Sequence, residues 1–126
     1  MPPIARSVAP VRRMAPLVRE AVEPFRTVEQ AWFWTMAALR ARHEGASRSG
    51  GGMVRRPCEP DDIIKCLDQV FRARGIDAAH ARVLRIWGER QVGPDASRAA
   101  ENGAAVLWEE AMERLGWVLR VKGIVA

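Results

Sequence analysis

Apolar residues recur every three to four positions along four stretches of the chain. In TVEQAWFWTMAALRARHEG, Val28, Ala31, Trp32, Thr35, Met36 and Leu39 share one face at helical spacing. Phe33 and Trp34 flank that stripe on opposite sides, so the helix is apolar almost all round. This pattern belongs to a helix that is deeply buried or shared with another chain. Thr27 can accept from the backbone N–H three residues on and Gln30 can reach back, forming a capping box.

The second stretch, CEPDDIIKCLDQVFRARG, is more sharply two-sided. Ile63, Ile64, Cys66, Leu67, Val70 and Phe71 form a stripe opposite Lys65, Asp68, Gln69 and Arg72. Pro60 suits the first helical position, Asp61 and Asp62 complement the positive dipole end, and Gly75 is the expected stop. Asp77 then caps a third helix. Its spacing puts Ala79, Val83, Ile86 and Trp87 inward, His80 and Leu84 beside them, and Ala81, Arg82, Arg85 and Glu89 outward. Gly93-Pro94 is the breaker.

A fourth helix begins near Ala99, with Ala104, Leu107, Trp108, Ala111, Met112, Leu115, Val118 and Leu119 along one side. Gly116 lies inside that stripe at a cost of about 1 kcal/mol relative to alanine. Lys122-Gly123-Ile124 has the form of a C-cap, glycine followed by an apolar contact. A competing reading ends the helix at Gly116 and makes WVLRVKGIV a strand, because Trp117, Leu119 and Val121 alternate. The unbroken stripe through Val118 and Leu119 favours the helix.

Two stretches lack any period. Residues 1–26 carry prolines at 2, 3, 10, 16 and 24 among arginines and read as a disordered basic arm, with room for a short helix only over 17–22. Residues 44–57, EGASRSGGGMVRRP, read as a Gly/Ser-rich flexible linker. The expected fold is therefore all-α: one small four-helix domain over 27–126, with helices at about 28–43, 60–74, 78–90 and 99–122.

Length and charge narrow the picture. The 126 residues fit one domain. No apolar run approaches the roughly 18–20 residues that cross a bilayer. Prolines and arginines interrupt any secretory segment, and a cytoplasmic protein with no membrane partner is expected. The net charge of +5 is unevenly spread: residues 1–57 hold ten arginines against four glutamates, whereas 58–126 hold ten basic and eleven acidic side chains. The excess on the less regular half can meet a polyanion without straining a fold. Cys58 and Cys66 make no disulfide framework. Together with His43 and His80 they match no zinc spacing, so neither a metal nor a cofactor is expected.

One segment resembles a known recognition unit. FRARGIDAAHARVLRIWGER is similar to a helix-turn-helix, with 67–74 as first helix, Gly75-Ile76-Asp77 as turn and 78–87 as recognition helix. Val70, Ile76, Ala81 and Leu84 match packing positions of that family. Phe71 departs from it where the family prefers a small residue, and Arg74 where an apolar one is common. The likeness covers about a sixth of the chain. It implies duplex DNA as partner, contacted around Ala78, Ala81, Arg82 and Arg85. More widely, AWFWTMAALRAR, RIWGERQ and LRVKGIVA resemble segments of small bacterial proteins of unassigned function, which implies a compact intracellular domain and no particular activity.

The leading expectation is a small DNA-binding transcriptional regulator. Arg82 and Arg85 would fork to bases or phosphates, and Arg6, Arg12, Arg13 and Arg19 would follow the backbone. The plain alternative for the helix face is that Arg85 pairs with Glu89 and Arg82 is merely solvated. A different class of function is a protein-interaction module, homodimeric or a helical adaptor, built on the aromatic helix 28–43. Its interface residues would be Phe33, Trp34 and Trp117, with Val106 near Trp117 on the same outer face. No enzyme is expected. His80 has no acid or nucleophile at a fixed helical offset, Glu109 and Glu113 are explained by solvation, and glycines 50–52 lack the lysine of a phosphate loop.

Overall fold

A computed structural model describes residues 22–45 and 54–126 of the chain. The expected arm up to residue 21, with Arg6, Arg12, Arg13 and Arg19, and linker residues 46–53 lie outside the described residues. Among the described residues there are four α-helices: α1 (Val28–His43), α2 (Pro60–Arg72), α3 (Ala78–Arg90) and α4 (Asn102–Val121). A single 3-10 turn, Ala99–Glu101, leads into α4.

The chain's local chemistry sets these boundaries. At α1 the Thr27 hydroxyl accepts from the Gln30 N–H at 3.0 Å, while the Gln30 side chain accepts from the N–H of Arg26, one residue before the cap. At α3 the Asp77 carboxylate accepts from the Ala79 and His80 N–H groups. The α4 helix runs through Trp117 to Val121, so the strand alternative does not form. It closes as a Schellman turn: Gly123 has φ 77°, its N–H reaches Arg120 O, and the Ile124 N–H reaches Leu119 O at 2.9 Å. The stop after α2 falls one residue earlier than the glycine suggests. Arg74 takes the left-handed conformation (φ 65°), because the Gly75 N–H caps Val70 O and the Arg74 N–H caps Phe71 O. Likewise α3 ends at Gln91 (φ 61°), ahead of Gly93-Pro94.

The helices form a flattened ring. α1 packs on α2 and α3, α4 packs on the same two, and α1 and α4 also meet across the middle. α2 and α3, although consecutive, scarcely touch. At the centre Trp32, Ile63, Leu84, Trp108, Ala111, Leu115 and Leu119 are almost fully buried, each large side chain worth roughly 1.5–3 kcal/mol. Both central indoles are satisfied: Trp32 Nε1 donates to Leu84 O at 2.9 Å and Trp108 Nε1 to Glu29 at 2.6 Å. Close approach is secured by glycine. A Cβ on Gly88 would lie 2.6 Å from Trp32 Nε1, and one on Gly116 would lie 2.7 Å from Val28 Cγ2. The helix-propensity cost at Gly116 is thus the condition for α4 to approach α1.

Three expectations need correction here. The arm stops short of residue 26. Phe25 is fully buried, its N–H bonds to Ile124 O at 2.9 Å, and its carbonyl accepts from Ala126. The linker stops short of residue 57, since Arg55 pairs through its backbone with Glu23 and the Arg56 guanidinium lies 4.4 Å over the Phe25 ring. Phe71, placed in the apolar stripe of α2, is 45% exposed, because no α3 side packs against it.

Candidate nucleic-acid interface

Helix α3 rests on α1 and α4, and this double support rotates it relative to the sequence reading. His80, Val83, Leu84 and Gly88 are buried, with Ile86 and Trp87 partly so. Ala79, expected inward, is exposed, and Ala81, expected outward, is partly buried. Ala81 turns toward a groove of about 590 Å³ that opens because α2 and α3 stand apart; Trp32, Met36 and Leu39 of α1 line it. Arg85 and Glu89 stand on its α3 side and Leu67 on its α2 side.

The outer face of α3 carries Ala78, Arg82, Arg85 and Glu89, all exposed. Arg82 and Arg85 have no carboxylate within ion-pair distance among the described residues, Glu89 included. Arg42 pairs with Asp61, Arg72 with Asp68 and Arg114 with Glu110, and Arg90 lies over the Trp87 ring at 4.5 Å, whereas Arg26, Arg40, Lys65, Arg74, Arg120 and Lys122 share with Arg82 and Arg85 the lack of an ion pair among the described residues. The N-terminal tip of α3 is already occupied by an anion. Asp77 holds the first free N–H groups, and the N–H of His80, helped by that of Ala79 and by the His80 ring, keeps its carboxyl below the usual aspartate range. The first N–H groups of α3 are thus not free for a further anion.

His80 anchors this helix from beneath. It is buried, its Nδ1 lies 3.0 Å from the Asp77 carboxylate and 3.1 Å from the Asp77 backbone N, and its Nε2 lies 2.8 Å from Glu110 of α4, so an acid three residues back as well as one from another helix faces the ring. Arg114 pairs with the Glu110 carboxylate and also donates to Gly75 O, tying α4 to the turn before α3. Sequence spacing misses Glu110, because it comes from a helix thirty positions away. Both histidine nitrogens are thus held by the fold, leaving neither as a free base.

Of the residues expected at a protein interface, two are spent within the fold. Phe33 stacks on Trp108 at 5.7 Å and Trp34 tilts against Phe25 at 5.1 Å, both partly buried against the core. Only Trp117 of that set is openly exposed, at 69%. The cysteines are free; burial, then the charge of Asp62, pushes the Cys58 thiol up to about 11, and burial also raises Cys66. Both thiols are protonated at neutral pH and poor as nucleophiles or ligands. Among the described residues no group of three or more His, Cys, Asp or Glu is placed to hold a metal ion, and no helix is long and apolar enough to cross a membrane. No protein-family model, no curated protein and no solved structure matches the chain.

Proposed function

We propose that the protein is a small cytoplasmic DNA-binding regulator that lays the outer face of α3 against a duplex. The observation that carries the reading is the pair of exposed guanidiniums, Arg82 and Arg85, one turn apart and without an acid partner among the described residues. A guanidinium forks to guanine or to a phosphate, and a single helix fits the major groove. Ala78, with its small exposed side chain, lets the first turn approach the base edges. The reading unit is α3 on a platform of α1 and α4, rather than a closely packed α2–α3 pair. The described residues carry fifteen basic and fourteen acidic side chains, so most of the net charge of +5 lies elsewhere in the chain. Arg6, Arg12, Arg13 and Arg19 supply sequence-independent affinity on this reading. The function is one of binding rather than catalysis, which accords with a His80 held at both nitrogens and two protonated thiols.

A salt-titrated mobility-shift assay tests the proposal. Affinity for duplex DNA should fall with salt at a slope near 0.9 per phosphate contacted. Arg82→Ala and Arg85→Ala should each alter sequence preference, whereas removal of residues 1–19 should weaken all sequences alike. Equal binding of random duplex by the wild type and both variants would reject sequence reading by α3.

A further inference from the structure

The groove of about 590 Å³ between α1, α2 and α3 has walls from three helices and a size common to small-ligand sites. Its floor is apolar: Trp32, Met36 and Leu39 of α1 line it, with Leu67 of α2 beside them. Helices α1 and α3 run antiparallel along it, since the Gln91 side chain donates to the Phe33 carbonyl at 3.0 Å and Gly88 faces Trp32 and Met36. One turn back along α3, Arg85 comes level with Leu39 and Arg40. Arg40 and Arg85 both line the groove, and neither is in an ion pair among the described residues. The acids of the rim are split. Glu44 lies one turn beyond Arg40 and Glu89 one turn beyond Arg85, and on antiparallel helices those are opposite ends. An anion thus finds two guanidiniums from two helices at one level, whereas a cation finds a single carboxylate at either end.

We propose that this groove binds an aliphatic carboxylate of medium chain length. Its head bridges Arg40 and Arg85, each guanidinium donating to one carboxylate oxygen. Its chain lies over Leu39, Met36 and Trp32, the last of which is eight positions, or about 12 Å, from Arg40. Seating the chain there removes apolar surface of both ligand and groove from water. Arg85 also stands on the outer face of α3, so a carboxylate that holds it withdraws one of the two guanidiniums open to a duplex. Ligand and duplex then compete for Arg85, and this coupling, unlike the site itself, rests on the DNA-binding reading.

Calorimetric titration of the full chain, free of DNA, with decanoate up to about 5 mM tests the site. Decanoate should bind, and decylamine, its cationic counterpart, should bind at least about tenfold more weakly. Arg40→Gln and Arg85→Gln should each raise the decanoate dissociation constant about tenfold. Both side chains are exposed, so neither change should alter the helical circular dichroism. In a mobility-shift assay, saturating decanoate should lower the duplex affinity of the wild type about tenfold and that of R40Q far less. No binding of decanoate, equal binding of decylamine, or a decanoate affinity indifferent to both R40Q and R85Q overturns the site. Decanoate binding without any change in duplex affinity overturns the coupling alone. A chain that binds decanoate but no duplex refutes the DNA-binding reading, and the coupling with it, while the site stands.

Discussion

Helices α3 and α4 lie side by side and fill their inner faces equally well, yet their outer faces differ in kind. That of α3 presents two guanidiniums without acid partners and small alanines at its start; that of α4 presents an indole and two valines bordered by sorted charge. An arginine in water costs the fold almost nothing, so its exposure is informative only through the missing carboxylate. A tryptophan left in water forgoes burial worth several kcal/mol, so its exposure calls for a covering surface. On the proposed reading the first face takes an anion, whereas the second leaves apolar surface uncovered among the described residues.

The strongest way to break this comparison is to read duplex binding in variants of each face. Reversing both charges, R82E/R85E, should lower duplex affinity by roughly 30-fold to 100-fold or more. Trp117→Glu, on the other face, should leave duplex affinity and sequence preference as in the wild type. A Trp117 variant that weakens duplex binding would merge the two faces into one.

The inner faces offer a smaller effect. Gly88→Ala forces a methyl against Trp32 and Met36 and should cost about 1–3 kcal/mol in urea denaturation. Arg82→Ala, on the outer side of the same helix, should stay within about 0.5 kcal/mol. Equal losses at the two positions would contradict the orientation of α3.

The smallest effect concerns the tip of α3. Asp77→Ala should lower the melting temperature at neutral pH, because two backbone N–H groups lose their acceptor. The folded carboxyl titrates below its ordinary range, so its contribution is full above that range and fades as the pH falls through the folded value. Melting temperatures of wild type and variant should therefore converge in acid. A gap that persists at low pH would assign the effect to something other than the carboxylate.

Much of this was legible along the chain. Thr27 and Asp77 mark helix starts because a short polar side chain bonds its own backbone within three residues, and Gly123 marks the end of α4 for an equally local reason. The face of α3 was legible only in part. Arg82 and Arg85 are outward as their spacing implies, but Ala79 and Ala81 exchange sides because two supporting helices, not one, fix the rotation. Phe33 and Trp34 illustrate the same limit: their positions flank a stripe, and whether a partner covers them depended on Trp108 and on Phe25 from a proline-bearing stretch.

By itself the sequence determined four helices, the caps at Thr27, Asp77 and Gly123 and most of the apolar sides, since propensity, capping and the 3.6-residue period act within a few residues of one another. Only the tertiary structure decided that α2 and α3 stand apart, that His80 meets Glu110, that Phe25 belongs to the core, and that Trp117 alone of three candidate anchors stays in solvent. Those outcomes rest on contacts between residues distant along the chain. Each depends on how the helices share one interior, which no local window contains.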